Sequence, residues 1–232
     1  INNEKLIDLN VSKRGSKGLK VLKVMGRSKD VAGLEFTKKD YLKNSKSGKL
    51  SNLLYFNPDF QRSKLSSQIK LYLNEGEEDN LHERYKCKIR KPWYWIPYVE
   101  NSNISMYKRA SEYNRLILNS AETYTTDTVH RISMKENSNY SAMDMCFSFI
   151  NSLTFLSCEL EGRNYGGGVL ELVPGEIRNL KIPIYNCSEE EFKHLDSLLR
   201  KNKDIDTILD YTDEILLSFL SKRDRKRIRE CW

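Results

Sequence analysis

The sequence predicts an α+β fold: a twisted, mostly antiparallel β-sheet or partial barrel with flanking helices, followed by a C-terminal helical hairpin. Three observations predict it. Short stretches alternate with a period of two, at Arg84–Arg90, Val129–Ile132 and Val169–Leu172. Longer stretches carry apolar residues at helical spacing, as in Leu65, Ile69 and Leu73 and again between Ser141 and Leu160. The last third holds helical stripes alone.

Composition bounds the function. The 232 residues carry 39 Lys and Arg against 32 Asp and Glu, a net charge of +7. With 10% aromatics, disorder of the whole chain is not expected. No apolar run approaches the ~18–20 residues that span a bilayer, so no membrane partner is expected. The first twenty residues lack the apolar stretch of a secretory signal. Ile1 is not an initiator methionine, and the chain is expected to be a piece of a longer one. Cys87, Cys146, Cys158, Cys187 and Cys231 are too far apart for a zinc knuckle or redox pair. Reduced thiols in a cytoplasm are the simplest expectation. His82, His130 and His194 are too scattered to suggest a metal centre, and no metal site is expected.

The first segment is the basic one. From Ile1 to Leu50, thirteen bases against five acids leave +8, more than the whole chain's net charge. This suits a polyanion partner, although a solvated lysine-rich surface fits as well. Leu65, Ile69 and Leu73 predict a short amphipathic helix. The acids that follow, Glu75, Glu77, Glu78 and Asp79, read as a solvated loop. A metal-dependent nuclease would need separated carboxylates, so these acids make only an alternative reading.

Arg84, Lys86, Lys88 and Arg90 alternate with Tyr85, Cys87 and Ile89, the pattern of a half-buried strand with a basic row on one face. Lys91 extends the row and Pro92 ends it. Trp93 and Trp95 then read as core residues. Bases interleaved with aromatics suit nucleic acid through phosphate pairing and base stacking. Thr125, Thr126 and Asp127 read as a loop leading into a strand at Val129–Ile132. Their side chains, with His130 and Arg131, can donate and accept at base edges. No nucleophile elbow appears.

Ser141 to Leu160 reads as one core helix. In Arg163-Asn164-Tyr165-Gly166-Gly167-Gly168, the glycines permit positive φ and close approach by another molecule. They precede a strand, and neither a Walker A pattern nor a dinucleotide fingerprint fits. Ser188 with Glu191 makes a capping box before Phe192, Leu195, Leu198 and Leu199. Asp204 starts a second helix carrying Ile205, Ile208, Leu209, Ile215, Leu216 and Phe219. The two form a hairpin packed on the body or on a partner chain, the latter a scaffold role. The basic run Lys222 to Arg229 is either a polyanion contact or an exposed helix end.

The run His82 to Tyr94 resembles one in the C-terminal specificity domain of bacterial DNA adenine methyltransferases of restriction–modification systems, with the Taq-like domain order. Glu161 to Leu172, followed by Pro174, Glu176-Ile177, Leu180 and Ile182-Pro183, resembles the same family. So do Thr126 to Arg131 and, more weakly, Arg27 to Leu34. The matches occur in the family's order over roughly residues 25 to 185. The family's catalytic Asn-Pro-Pro-Tyr/Phe motif has no counterpart: Asn57-Pro58-Asp59-Phe60 lacks the second proline. The glycine-rich loop for S-adenosylmethionine is also absent.

The resemblance implies a DNA target-recognition domain over residues 1–186, its start truncated, and a helical segment with a basic tail over residues 187–232. It implies double-stranded DNA and the enzyme's own catalytic domain as partners, in a prokaryotic cytoplasm. No catalytic residue and no cofactor are expected in this chain, since S-adenosylmethionine would belong to a catalytic domain outside it. The expected DNA contacts are Arg84, Lys86, Lys88, Arg90, Lys91, Thr125, Thr126, Asp127, His130, Arg131, Arg163, Asn164, Tyr165, Gly166, Gly167 and Gly168.

Overall fold

The computed structural model describes all residues, 1–232. They group into two units, Ile1–Gly26 with Lys39–Glu100, and Arg27–Lys38 with Asn101–Trp232. The boundary expected near residue 186 falls inside the second unit.

In the first unit, α1 (Asn3–Asp8) starts where the Asn2 side chain accepts the Lys5 N–H. Strands β1 (Gly15–Ser16), β2 (Leu19–Lys23) and β3 (Asn52–Phe56) form an antiparallel sheet in that order. Leu19 lies opposite Phe56, and Lys23 opposite Asn52. On β3, Asn52, Leu54 and Phe56 alternate onto the buried face. Helix α2 (Lys38–Lys46), in this unit from Lys39 onward, buries Tyr41, Asn44 and Ser45. Helix α3 (Ser67–Glu78) is capped by Ser66 and turns Ile69 and Leu73 inward. Leu6, Leu19, Leu54, Phe56, Leu65, Ile69 and Leu73 make one core. Each such side chain contributes roughly 1.5–3 kcal/mol by burial.

Two expectations for this unit are corrected. The acids Glu75, Glu77 and Glu78 lie on the last turns of α3, not in a loop, and Asp79 is its C-cap. The row Arg84–Arg90 is no strand. A 3₁₀ turn at Leu81–Glu83 runs into a one-turn helix, α4 (Tyr85–Lys88). The reason lies downstream. Trp93 and Tyr94 pack on the core, Tyr94 edge-on against Phe56 at 4.9 Å between ring centres. They supply the burial that the alternation assigned to Tyr85 and Ile89. Those two side chains are 79% and 68% exposed, so no apolar face remains to anchor a strand.

In the second unit, β4 (Ile104–Tyr107) is the middle strand between β6 (Leu116–Leu118) and β7 (Val129–Ile132), all antiparallel. A second antiparallel sheet runs β5 (Arg109–Ala110), β9 (Val169–Glu171), β8 (Arg163–Tyr165). The expected antiparallel strands are thus small three-stranded sheets rather than one sheet, with no closed barrel.

The region from Ser141 to Leu160 is two helices, α5 (Ala142–Ser148) and α6 (Ser152–Glu161), instead of one. Asn151 breaks it. Its side chain accepts the Thr154 N–H at 2.9 Å and donates to the Ser148 carbonyl at 2.7 Å, capping one helix while binding the end of the other. A short helix, α7 (Pro174–Ile177), follows β9.

Capping starts α8 (Glu189–Arg200) at Ser188 and α9 (Ile205–Leu216) at Asp204, as the sequence predicts. Phe219 lies beyond α9 and is 68% exposed, so it is not part of that stripe. The basic run forms a third helix, α10 (Lys222–Cys231). Phe192, Leu195, Leu199, Ile208, Leu209 and Leu216 share one core with Ile104, Met106, Phe147 and Phe155.

The segment Leu34–Phe36 joins this unit along β6. Leu118 N–H donates to Leu34 O at 2.9 Å, and Phe36 N–H donates to Leu118 O at 2.8 Å. Asp196 on α8 accepts the N–H groups of Leu34 and Glu35 at 2.7 and 3.0 Å. Gly33 is required by that approach: a Cβ there would sit 2.1 Å from the Asp196 carboxylate.

Candidate nucleic-acid interface

The second unit brings two of the three predicted groups together through Lys108, the residue between β4 and β5. Its N–H donates to Thr128 O at 3.0 Å, extending the pairing of β4 with β7. Its carbonyl accepts the Leu172 N–H at 3.0 Å, just past β9. One strand therefore serves both sheets, first the Thr125–Arg131 segment and then the glycine hairpin. His130 Nε2 lies 2.8 Å from Leu172 O and closes the corner.

The threonine loop is held from beneath. The Asn119 side chain donates to Ser102 O and Thr123 O, at 3.0 and 2.8 Å, and accepts from the Thr123 N–H and hydroxyl. Such a network, fully buried, fixes the loop's exit direction. Thr125 is buried, with its hydroxyl lacking a partner. Thr126, Asp127 and Thr128 are exposed, the two threonine hydroxyls 2.8 Å apart. His130 is half-buried and Arg131 exposed.

The motif Arg163 to Glu171 is a hairpin, β8–turn–β9, and the turn is Gly166-Gly167-Gly168. Gly167 and Gly168 have φ of +87° and +72°, conformations that side chains other than glycine's rarely adopt. A Cβ on any of the three would meet nothing within 4 Å, so the tip projects into open space.

Arg163 and Tyr165 sit on one face of the hairpin, opposite Glu171 and Val169. Arg109 of β5 stacks over the Tyr165 ring at 5.7 Å and pairs with Glu171 at 3.2 Å. Arg163 pairs with Glu176 at 2.7 Å. The Val173 N–H, which Glu176 also accepts at 2.7 Å, and then Arg163 hold the Glu176 carboxyl below the usual carboxylate range. Asn164, on the other face, is exposed.

Lys108 and Arg109 belong to the candidate site by position, although the sequence singles out neither. Their only signal was a basic pair following the apolar Ile104–Tyr107 stretch.

The third group lies in the first unit. Arg84, Lys86, Lys88 and Lys91 are exposed around α4. Lys88 is bound to Glu83 at 3.0 Å, and Arg90 donates to the Trp95 carbonyl at 3.4 Å. Glu77, one of the acids weighed for metal chemistry, is tied to Arg62 through both carboxylate oxygens, at 2.5 and 2.9 Å, and to Trp93 Nε1 at 2.8 Å. The Arg62 guanidinium, then the Trp93 N–H, lower its pKa to about 2.

A family model described as the C-terminal domain of type II methyltransferase M.Eco57I matches residues 7–217, and the chain belongs to that family. Among curated proteins, the type II methyltransferase M.AccI of Acinetobacter calcoaceticus is 25% identical over 209 residues. The aligned region covers 84% of this chain and 37% of that protein, so the chain spans little more than a third of the relative's length.

Proposed function

We propose that the chain is the duplex-DNA recognition module of an adenine-specific DNA methyltransferase from a restriction–modification system. S-adenosylmethionine and the catalytic groups would be held by a domain outside these 232 residues, in a prokaryotic cytoplasm. Membership of the methyltransferase C-terminal domain family supports the assignment. No helix is long and apolar enough to cross a membrane.

The observation that carries the DNA reading is the corner built around Lys108. It places exposed hydroxyls at Thr126 and Thr128 beside a projecting hairpin that carries Arg163, Asn164 and Tyr165. Arginines suit phosphates and guanine edges, and hydroxyls and amides suit base edges. A methyltransferase must flip its target base, which costs a few kcal/mol of unstacking. Contacts from a recognition module offset that cost. In this reading Glu171 and Glu176 hold Arg109 and Arg163 in place until phosphate replaces them.

Fluorescence anisotropy of labelled duplexes across a salt series tests the proposal. Arg109→Ala with Arg163→Ala is expected to weaken binding and to flatten the slope of log K against log salt by about one to two units. Unchanged affinity and slope would remove the hairpin from the interface. Calorimetry is expected to detect no S-adenosylmethionine binding by the chain, and micromolar binding would contradict the assignment of the cofactor to another domain.

A further inference from the structure

We propose that the outer face of α2 is a second, sequence-independent contact for the phosphate backbone of duplex DNA, an inference that rests on the DNA-recognition reading above. Lys39, Lys43 and Lys46 lie at i, i+4 and i+7, so one side of the helix carries all three. With Leu42 and Ser47 they line an open groove of about 500 Å³. The opposite side buries Tyr41, Asn44 and Ser45, which fixes the lysines outward.

These lysines are unpaired. No carboxylate meets any of the three side chains. Three other cations of the same unit do meet carboxylates: Lys5 meets Glu75 at 3.6 Å, Arg62 meets Glu77 at 2.5 Å and Lys88 meets Glu83 at 3.0 Å. Helix stability does not ask for this arrangement. Like charges at i, i+4 cost a few tenths of a kcal/mol, and Lys39 lies in the first turn, where the helix dipole disfavours a cation. Solubility does not ask for it either, since acids serve that purpose better.

The dimensions suit a phosphate strand. Seven residues of helix rise roughly 10 Å. That is the axial length of about three phosphates on one strand of a duplex. A lysine presents a point charge without base-reading geometry, so the contact positions the duplex and does not read it.

The test compares the wild-type chain with Lys39→Gln, Lys43→Gln and Lys46→Gln combined, glutamine having nearly the helix propensity of lysine. Labelled duplexes of several unrelated sequences are titrated over a salt series. The triple variant is expected to bind all of them at least roughly tenfold more weakly near 0.1 M salt, with the slope flatter by about two to three. Circular dichroism is expected to be unchanged and thermal unfolding unchanged or slightly raised, as the mutual repulsion is removed. Should the triple variant unfold, Lys43→Gln alone decides, with an expected flattening of about one. Wild-type-like affinity and slope would overturn this inference alone and leave the face to a protein partner or to none. A wild-type chain that binds no duplex at low salt would overturn the DNA reading and this contact together.

Discussion

The Nε2 atom of His130 lies 2.8 Å from the carbonyl oxygen of Leu172, 42 residues away in sequence. A carbonyl only accepts, so this ring nitrogen carries the proton and donates. The bond ties β7 to the end of the glycine hairpin, and the Lys108 backbone also links the two through Thr128 O and the Leu172 N–H. His130→Ala is expected to cost roughly 1 kcal/mol of stability, the usual value of one such bond. Its effect on DNA affinity should be larger than that loss implies, because the hairpin is aimed by this corner. Thermal unfolding and anisotropy on the same variant decide it. A lowered melting temperature with unchanged affinity would mean the corner does not set the interface.

The three turn glycines are expected to differ sharply. All three have open space where a Cβ would go, so sterics do not separate them. Conformation does: Gly167 and Gly168 have φ of +87° and +72°, and Gly166 does not lie in that region. Gly167→Ala or Gly168→Ala should each cost about 1–2 kcal/mol of local strain. Gly166→Ala should be close to neutral. Equal melting temperatures for the three variants would refute the turn geometry.

The ion pair of Glu77 with Arg62 gives the first unit an acid-sensitive element. Hydrogen bonds from Arg62 and then Trp93 depress the Glu77 pKa from 4.5 to about 2. A depressed carboxyl stabilises the fold above its unfolded pKa and loses that contribution as pH falls through the folded value. The stability gap between wild type and Glu77→Gln should therefore be full above pH 4.5 and close as pH approaches 2. At neutral pH it should be about 1 kcal/mol, because the pair is about one-third exposed and solvent screens it. A gap of constant size from pH 7 to pH 2.5 would show that the charge is not what stabilises this contact.

What the sequence revealed, and what it concealed, divides by the range of the interaction. Ser188 with Glu191, and Asp204, announce two helix starts because capping is settled within four residues. Val129–Ile132 is legible as a strand because its alternation has a sheet to fill. The same alternation at Arg84–Arg90 misleads, since Trp93 and Tyr94 take the burial it appears to promise. The assignment of Leu34 and Glu35 to the second unit hangs on Asp196, some 160 residues later, and no local pattern encodes it. Within the candidate site, the glycines and threonines stand out by composition. Arg109 does not, because β5 has two residues and its partner Glu171 is 62 positions away.

The C-terminal basic run shows the same division, and it yields a test. Read as a row of charges, Lys222 to Arg229 suits a polyanion, but α10 turns part of the row inward. Arg225 donates to the Asp213 carbonyl at 3.2 Å, and Arg229 Nη2 reaches the Asp213 carboxylate at 2.9 Å. That carboxylate is 2% exposed and also accepts the Ser152 N–H at 2.9 Å and the Ser152 hydroxyl. It therefore joins α9, α10 and the start of α6 at one point. Arg229 also pairs with Asp210 at 2.5 Å, but the Asp210 side chain is 73% exposed. Removing the Asp213 carboxylate leaves the fully buried Ser152 N–H and hydroxyl without a partner and takes one acceptor from Arg229, at roughly 3 kcal/mol or more in all. Removing an exposed partner costs about 1 kcal/mol at most. Asp213→Ala should thus destabilise the protein several-fold more than Asp210→Ala in chemical denaturation. It should also change the emission of Trp232, whose ring packs 5.0 Å from Phe155 of α6. Equal losses for the two variants, with Trp232 unaltered, would show that α10 is held by its apolar contacts and not by this carboxylate.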